Sequence, residues 1–261
     1  MPSARSTTAL ITGASSGIGA ELARIHARGG GNLVLVARNR GRLENIKAEL
    51  EAAYGIEVAI FCFDLCVANA AQELFDAASG IEIDILINNA GFGWYGKFHE
   101  EDPSRYEAMM QLNMCALTSL TRLYLPEMIE RGHGRILNVA SSAALLPGPL
   151  MAVYFATKSY VLSFSQAIAE ELRGTGISVT VLCPGPVDTD FIARANLQDI
   201  RLFSRPQNAS RVAKFGYEAM LKGRLVAFED PRLRFLLEWI VPLLPRKMLL
   251  GISRRLLEKQ G

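Results

Sequence analysis

Three side chains near the middle of the sequence have the types and spacing that acid–base chemistry on a carbonyl group requires. Tyr154 is followed four residues later by Lys158, and Ser141 lies thirteen residues before the tyrosine. A phenol has a pKa of about 10, so it exchanges protons near neutral pH only when a neighbouring cation favours the phenolate. Residues four apart share one face of a helix, which would place Lys158 beside Tyr154. The predicted chemistry is proton transfer to a carbonyl oxygen.

The surrounding sequence indicates which elements hold these side chains. Apolar residues recur at helical spacing over 154–173, so a helix is expected there. The segment 147–149 contains two prolines and a glycine and is expected to be a loop, while the apolar run 136–139 is typical of a buried strand. A serine at a strand end would therefore face a tyrosine at a helix start. A tyrosine and a lysine at this spacing also occur by chance in unrelated chains, so the pair needs support from other motifs.

A glycine-rich turn follows the first predicted strand. The run 8–11 is apolar, the sequence TGASSGIG occupies 12–19, and apolar residues then continue at helical spacing. Glycines let a backbone approach a pyrophosphate closely, and a helix N-terminus offers free N–H groups to it. A tight strand-to-helix turn also needs glycine, but the position directly after the first strand favours phosphate binding. The residues expected to contact a dinucleotide here are Gly13, Ser15, Ser16, Gly17, Ile18 and Gly19.

The end of the second predicted strand, 32–37, indicates which dinucleotide is bound. An acidic residue at this place accepts hydrogen bonds from the ribose 2′-OH of NAD, whereas an arginine suits the 2′-phosphate of NADP. The sequence continues with Arg38 and Arg40 and has no acidic residue before Glu44. Arg38 is therefore the expected phosphate ligand, with Arg40 as a second candidate, and NADP(H) is the expected cofactor. The alternative is that both arginines are solvated at the start of the next helix.

Two further strands are expected at 57–63 and 83–87. Asp64 and Leu65 follow the first of them, at the edge of an open parallel sheet where ligands bind. Asp64 would contact the adenine amino group or cap the next helix. Strands that alternate with helical segments predict βαβ units. We therefore predict an α/β fold, with a single doubly wound Rossmann-type domain built on a parallel seven-stranded sheet that carries helices on both faces.

Six features stand along the chain in this order: TGASSGIG at 12–19, NNAG at 88–91, Asn113, Ser141, the Tyr154–Lys158 pair and Pro184-Gly185. Each is loose alone, but together they resemble the short-chain dehydrogenase/reductase family over roughly residues 7–190. The stretch around Tyr154 is similar to bacterial oxidoreductases of undefined substrate. The resemblance implies hydride transfer between a nicotinamide cofactor and a carbonyl or alcohol substrate.

The resemblance also implies a role for each catalytic residue. Tyr154 would be the general acid in reduction and the base in oxidation, and Lys158 would bind the nicotinamide ribose and lower the pKa of the tyrosine. Ser141 would hydrogen-bond the substrate carbonyl, and its spacing to Tyr154 favours it over the adjacent Ser142. Asn113 would hold a water molecule that relays protons to Lys158.

Further cofactor contacts follow from the same resemblance. Asn88 would hold the sheet or the cofactor region, Pro184 and Gly185 would close on the nicotinamide, and Thr189 would hydrogen-bond its carboxamide. The full set of expected contacts outside the first loop is Arg38, Asp64, Leu65, Asn89, Ala90, Gly91, Tyr154, Lys158, Pro184, Gly185, Val187 and Thr189.

Composition excludes several other classes of protein. The 261 residues carry 28 basic and 26 acidic side chains, and this near balance argues against a dedicated nucleic-acid binder. The four cysteines each stand in an apolar run and are expected to be buried, not paired or metal-bound, and the three histidines show no metal-ligand spacing. No metal site is therefore expected. No signal peptide is evident at the N-terminus, so a cytoplasmic location is the default expectation.

The substrate side carries apolar and aromatic residues in two separate stretches. The candidate pocket walls are Phe92, Trp94, Tyr95, Leu145, Leu146, Met151 and the segment Phe191–Phe203. They indicate an apolar carbonyl substrate, unless they only pack a lid. A substrate lid is expected at about 190–210, because part of that stretch has few large apolar residues and several charged ones.

The last thirty residues differ from a minimal member of the family. We predict a catalytic domain over 1–229 and an amphipathic helical extension over 230–261, which Pro242 and Pro245 divide into two helices. The prolines and Glu238 argue against a transmembrane span, so the extension would cover the pocket, contact a second subunit or lie on an anionic membrane.

These observations lead to one main functional prediction and two alternatives. The main prediction is an NADPH-dependent oxidoreductase, a homo-oligomer, that reduces the carbonyl of an apolar ketone or aldehyde. The first alternative is a catalytically silent NADP-binding regulator, against which the four intact catalytic residues argue. The second is a membrane-peripheral enzyme that reduces lipid-pathway ketones.

Overall fold

A computed structural model of the protein describes residues 6–259. The outermost residues of the two predicted domains, 1–5 and 260–261, lie outside this range, and the domain boundary at 230 stays a prediction. Within the described range, seven strands form one parallel sheet in the order β3-β2-β1-β4-β5-β6-β7. The strands are β1 (Thr8–Thr12), β2 (Asn32–Ala37), β3 (Val58–Cys62), β4 (Ile85–Asn88), β5 (Gly134–Val139), β6 (Ile177–Leu182) and β7 (Val226–Ala227).

Helices connect the strands and cover both faces of the sheet. Because side chains alternate along a strand, neighbouring residues of one strand enter opposite cores. Ala9 and Ile11 of β1 pack on one side, and Leu10 packs on the other. The helices are α1 (Gly17–Arg28), α2 (Arg40–Tyr54), α3 (Ala70–Ala77), α4 (Pro103–Met110), α5 (Leu117–Arg131), α6 (Ala152–Glu171), α7 (Asp190–Arg194), α8 (Ala209–Leu221), α9 (Pro231–Phe235) and α10 (Arg246–Leu257).

The two layers divide the helices between them. Helices α1, α2 and α8 cover one face of the sheet, while α3, α5 and the end of α6 cover the other. This is the doubly wound α/β arrangement predicted from the sequence. The predicted strands and helices lie within about two residues of the observed ones, as in Ala152–Glu171 for the helix predicted over 154–173.

Two elements were not located from the sequence. The short β7 pairs with β6 through two residues only, which is too short to give a periodic pattern. The segment Gln111–Ala116 is π-helical and lies between α4 and α5. It carries Asn113, and its wider turn is not distinguishable from an α-helix in the sequence.

The prediction that all four cysteines are buried was wrong for two of them. Cys62 and Cys115 are exposed, Cys66 is partly buried, and Cys183 is buried. An apolar run shows that an element is apolar but not which face each residue takes. Cys62 ends β3, an edge strand whose outer positions are open, and its thiol donates a hydrogen bond to Arg38 O at 3.0 Å. All four cysteines are free thiols, as predicted.

The predicted extension consists of two helical segments. The first begins after Asp230, whose carboxylate caps α9, and continues through a π turn and a 3₁₀ turn to Leu243. The second is α10, which begins after Pro245. The two segments divide at Pro245, as predicted, whereas Pro242 lies within the 3₁₀ turn that ends the first segment.

Candidate functional site

The candidate site lies at the carboxyl edge of the sheet, where β1 and β4 are neighbours. The chain turns from β1 toward β2 on one side and crosses to β4 on the other, so the loops after these two strands leave a crevice between them. Such a switch point is the usual ligand site of an open α/β sheet. The predicted cofactor and catalytic residues belong to the loops at this edge and to the helical segments next to them.

The glycine-rich loop is held against the end of β4 by Asn89. The Asn89 amide donates to Thr12 O at 2.9 Å and to Gly13 O at 3.3 Å, and the Thr12 hydroxyl accepts hydrogen bonds from the N–H groups of Asn89 and Ala90 at 3.0 Å each. A Cβ at Gly19 would lie 2.4 Å from Gly13 O and 2.5 Å from the Asn89 amide nitrogen. Only glycine fits at that position. Gly19 therefore packs the helix behind the loop and, unlike the other predicted residues, does not line the crevice.

The first turn of α1 is open toward the crevice. Ser16 precedes the helix with extended backbone and makes no side-chain capping bond. Unsatisfied N–H groups at a helix N-terminus attract anions, and the helix dipole adds to this attraction. Ser15, Ser16, Gly17 and Ile18 all line the crevice at this point.

Arg38 and Asp64 stand together at the adenosine end of the crevice. The guanidinium of Arg38 lies 3.6 Å from the Asp64 carboxylate, and both side chains are substantially exposed. Burial raises the pKa of Asp64, but hydrogen bonds from Cys66 and the charge of Arg38 outweigh it and hold that pKa below its ordinary value. Asp64 caps the turn at Cys66 and not α3, whose N-cap is Asn69. Leu65 lines the crevice beside it.

A third arginine in this region was not predicted. Arg40 points along α2 and pairs with Glu44 at 3.8 Å, whereas Arg42 lines the crevice and binds Asp190 at 2.7 Å. Asp190 is the first residue of α7, so this ion pair joins the adenosine side of the crevice to the predicted lid. Nothing in the sequence indicated a role for Arg42, because its partner Asp190 is remote in the chain.

Tyr154 and Ser141 meet where the crevice enters the protein. Tyr154 is in the first turn of α6, and its side chain is buried. Burial raises the pKa of Tyr154 to about 12, and a hydrogen bond with Ser141 acts in the opposite direction. The Ser141 hydroxyl also accepts a hydrogen bond from the N–H of Ala143 at 3.1 Å. Ser142 also lines the crevice, and its N–H donates to Pro184 O at 2.8 Å.

Lys158 lies one turn after Tyr154 on the same face of α6. Its ammonium donates to Val139 O at 2.9 Å and lies 5.8 Å from the centroid of the Tyr154 ring. Burial lowers the pKa of Lys158 to about 8, although Cys183 acts in the opposite direction. The direction expected for the tyrosine, a lowered pKa, is therefore not found in this structure. Burial of the phenol is the largest cause of the raised pKa, and the Lys158 ammonium binds Val139 O.

Asn113 is buried beside Lys158 but does not line the crevice. Its amide donates to Phe92 O and to the Thr157 hydroxyl, each at 3.0 Å, and its oxygen accepts from the Phe92 N–H at 3.1 Å. A Cβ at Gly91 would lie 3.0 Å from that oxygen and 3.4 Å from the Lys158 ammonium. Asn113 therefore fixes the loop after β4 against α6. Asn88 is the last residue of β4, and its buried amide donates to Asn138 Oδ1 at 2.9 Å.

The loop after β6 lies at the end of the crevice next to Ser142. Pro184, Gly185, Val187 and Thr189, which were predicted to contact the cofactor, line it. Thr189 caps α7, and its methyl group stands 2.8 Å from where a Cβ on Gly17 would be. The predicted lid therefore touches the glycine-rich loop. Val187 is held in this place by a parallel bridge to Gln207.

Beyond Tyr154 the crevice continues into an apolar cavity, and the whole space has a volume of about 890 Å³. Of the predicted walls, Phe92, Leu146, Phe191, Leu202 and Phe203 line it. Trp94, Tyr95, Leu145 and Met151 do not. Trp94 instead stacks on the guanidinium of Arg105, and Met151 is buried behind the wall. The Phe191 ring lies 5.4 Å from the Tyr154 ring, which places an aromatic wall directly at the candidate acid.

The extension supplies the largest share of the apolar wall. Leu233, Leu237 and Val241 are spaced four apart, as are Leu249, Ser253 and Leu257, so each helical segment turns one face inward. Ser253 donates to Pro147 O at 2.6 Å, and Lys259 binds Asn196 at 3.0 Å, which ties α10 to the active-site loop and to the lid. The cavity-lining residues of the extension are Leu233, Leu236, Leu237, Val241, Leu244, Leu249, Ile252, Ser253, Leu256 and Leu257.

The residues of the crevice fit a nicotinamide dinucleotide. A glycine-rich loop, an uncapped helix N-terminus and an arginine at the end of β2 stand in the order of pyrophosphate and adenosine ribose. The only cluster of three potential metal ligands among the described residues is Glu82, Asp84 and His133. Arg131 lies 3.3 Å from Glu82, and the Thr8 N–H binds Asp84 at 2.8 Å.

Residues 7–199 match the model of the short chain dehydrogenase family. The chain belongs to that family. The chain is 32% identical over 180 residues to the human very-long-chain 3-oxoacyl-CoA reductase, a match that covers 67% of this chain and 58% of the human protein. The chain thus spans well under two thirds of the length of that relative.

Solved structures of the family resemble the whole fold. A short-chain dehydrogenase from Sphingobium yanoikuyae in complex with NADPH is 30% identical, with a TM-score of 0.84 over 95% of this chain and 97% of that one. A short chain dehydrogenase/reductase from Burkholderia phymatum in complex with NAD is 26% identical, with a TM-score of 0.83 over the full length of both chains. The chain is therefore an oxidoreductase of a family that binds nicotinamide dinucleotides.

Proposed function

We propose that the protein is an NADPH-dependent reductase of ketones or aldehydes that carry a large apolar group. The observation that carries the proposal is the position of Tyr154 and Ser141. They lie at the junction between the polar crevice, which fits the dinucleotide, and the apolar cavity beyond it. A carbonyl group held at this junction would face the nicotinamide on one side and a proton donor on the other.

Two observations support NADPH over NADH. Arg38 follows β2 at the position expected to contact the 2′ substituent of the adenosine ribose, and the chain has no acidic residue between the end of β2 and Glu44 that would bind a free 2′-OH. Arg38 is also held near this position by Asp64. The relatives include complexes with either dinucleotide, so the preference is a property proposed for this chain.

The mechanism assigns a step to each residue at the junction. The bound nicotinamide supplies the hydride. Ser141 and Tyr154 hydrogen-bond the carbonyl oxygen, where negative charge develops in the transition state. Tyr154 then gives its proton to that oxygen; with a pKa of about 12 the phenol is protonated at neutral pH, so the proton is present for this step. Lys158 would bind the nicotinamide ribose, and Asn113 would hold a water molecule that returns a proton to this pair.

The substrate class follows from the cavity beyond Tyr154. Its walls are leucine, phenylalanine and valine side chains from the active-site loops, the lid and the extension. Burying a long hydrocarbon chain against such walls is favourable by about 25 cal/mol per Å². The name of the human relative, a very-long-chain 3-oxoacyl-CoA reductase, agrees with a substrate of this kind.

Titration of the purified protein with NADPH and with NADH, followed by nicotinamide fluorescence, tests the cofactor first. We expect tight binding of NADPH and weak binding of NADH. Turnover is then measured with NADPH and a series of ketones and aldehydes of increasing chain length, and kcat/KM is expected to rise with chain length. Binding without turnover on the whole series would favour the silent regulator. A series that reacts equally well at every chain length would contradict the apolar substrate class.

The homo-oligomeric state and the cytoplasmic location both stay predictions. Size-exclusion chromatography with light scattering measures the first. Fractionation of the producing cells measures the second.

A further inference from the structure

The outer face of the extension is unlike the rest of the protein surface. Of the eighteen large apolar side chains that are exposed among the described residues, nine fall between Phe235 and Leu256. Soluble proteins seldom expose contiguous apolar patches of this kind unless something binds there. We call these residues the apolar face: Phe235, Leu236, Trp239, Ile240, Leu243, Met248, Leu250, Ile252 and Leu256.

Each helical segment of the extension has one buried apolar side and one exposed apolar side, so the exposed side chains belong to segments that are already packed on the protein. Leu237, Val241, Leu249 and Leu257 are buried against the cavity. The outward residues Trp239 and Leu243 are 66% and 80% exposed, respectively. The extension is therefore already docked on its own protein by its inner face. Its outer face is a second apolar surface without a partner in the described chain.

Exposed basic side chains stand among the residues of the apolar face along the sequence. The segment from Asp230 to Lys259 has seven basic residues against three acidic ones, although the whole chain is nearly neutral. Within the described residues, four exposed basic side chains of this segment form no ion pair, whereas Arg234 and Arg254 pair with acids of the same segment. The four are Arg232, Arg246, Lys247 and Arg255. The core of a subunit interface is depleted in charge, whereas a helix on an anionic bilayer combines apolar residues, tryptophan and basic residues.

The mouth of the cavity lies on the same face. Leu236, Ile252 and Leu256 line the cavity, yet they are 47%, 42% and 41% exposed. Residues that line the cavity and are also exposed to solvent must lie at its opening. An apolar molecule carried by a partner that covers this face would therefore lie next to the opening of the cavity.

We propose that the apolar face is a docking surface for an anionic phospholipid bilayer, and that it presents the mouth of the cavity to that bilayer. None of the helices within residues 6–259 combines the length and the apolar character of a membrane-spanning segment. The contact is thus one of helices lying at the interface, with Trp239 and Leu243 inserted and the basic side chains at the headgroups. The part of the proposal that concerns the cavity rests on the proposed function, whereas the docking surface does not.

Sedimentation with vesicles tests the docking surface without any turnover. The full chain is mixed with vesicles of phosphatidylcholine, or of equal parts phosphatidylcholine and phosphatidylglycerol. We expect binding to the anionic vesicles only, weakened by salt. Trp239→Ser with Leu243→Ser should lower the partition coefficient about tenfold or more, since both side chains leave the bilayer. Arg246→Gln, Lys247→Gln and Arg255→Gln together should lower it by about fivefold per charge removed.

Matched controls use exposed residues elsewhere. Val67→Ser with Leu221→Ser removes two exposed apolar side chains, and Arg28→Gln, Lys222→Gln and Arg224→Gln together remove three exposed basic ones. Both sets should leave vesicle binding unchanged. NADPH titration of each variant shows that it is folded, so a loss of vesicle binding is read against an intact crevice.

Three results would overturn the proposal. The first is no binding of the wild-type chain to anionic vesicles. The second is equal loss of binding in the control variants. The third is a dimer in light scattering that Trp239→Ser with Leu243→Ser converts to a monomer, because the apolar face would then be covered by a second copy of the chain. A protein that binds vesicles but reduces no ketone would keep the docking surface and reject the proposed function.

Discussion

The crevice and the apolar cavity are two halves of one space, but they are built in different ways. The crevice is formed by backbone, glycines and short polar side chains whose hydrogen bonds fix each position, as Asn89 does for the first loop. The cavity is closed by leucines on helices that are bound to the protein by a few contacts, such as Ser253 to Pro147. A dinucleotide demands particular atoms at particular places, whereas a hydrocarbon chain demands only an apolar wall. The first half is therefore rigidly specified, and the second tolerates change.

The largest effect is expected for Tyr154→Phe, which removes the phenolic oxygen at the junction between the crevice and the cavity. We expect kcat to fall by about 10²- to 10⁴-fold, since general acid catalysis is lost, while the affinity for NADPH changes little. Stopped-flow turnover and fluorescence titration measure the two effects. Tyr160→Phe is the matched control on the same helix, because that exposed phenol binds only Thr118. An unchanged kcat in Tyr154→Phe would reject the proposed acid.

Arg38→Ala tests whether the crevice binds the 2′-phosphate of NADPH. We expect the Kd for NADPH to rise by about 10- to 100-fold, as hydrogen bonds to a charged group contribute about 1.5–3 kcal/mol. The Kd for NADH should stay nearly constant. Arg40→Ala is the control, and a similar loss there would mean that both arginines share the phosphate. Equal losses for NADPH and NADH in Arg38→Ala would show that Arg38 does not bind the 2′ substituent.

The pH dependence of reduction tests the buried ammonium of Lys158. Burial lowers the pKa of Lys158 to about 8, so its charge is present below that pH and is lost as the pH rises through it. Tyr154 stays protonated over the same range because its pKa is about 12. We expect kcat/KM for NADPH to be constant near pH 7 and to fall about tenfold per pH unit above 8. A profile that stays flat to pH 10 would contradict this assignment.

The smallest expected effect concerns the cavity wall. Leu236→Ala enlarges the mouth at a half-exposed position, so folding should not be affected. We expect kcat/KM for long-chain ketones to fall about fivefold, with no change for short ones and no change in NADPH affinity. Leu243→Ala is the control, since this residue belongs to the same segment but does not line the cavity. If kcat/KM falls equally for short and long substrates, the extension affects catalysis and does not bind the apolar chain of the substrate.

The same difference explains what could be predicted from the sequence. Part of the crevice could be recognised in the sequence because each of its positions permits few residue types. These positions are the glycine-rich loop, Arg38, Ser141 and the tyrosine–lysine pair. The inner face of the extension was only one of three alternatives, because leucines at helical spacing serve a cavity, a subunit contact and a membrane equally well. The Arg42–Asp190 ion pair leaves no trace either, as its partners are far apart in the chain. The low exposure of Tyr154, which reverses the expected direction of its pKa, depends on tertiary packing alone.

The π-helical turn at Gln111–Ala116 has a consequence for how this chain is aligned with others. A π turn holds one residue more than an α turn, and each residue of a helix turns its successor by about 100°. An alignment with a relative whose helix is regular here, made without a one-residue gap, is therefore shifted by one position across this turn. It then assigns the place of Asn113 to Leu112 or Met114, neither of which can form the hydrogen bonds to Phe92 and Thr157. A relative judged to lack the asparagine should be realigned here before it is called inactive.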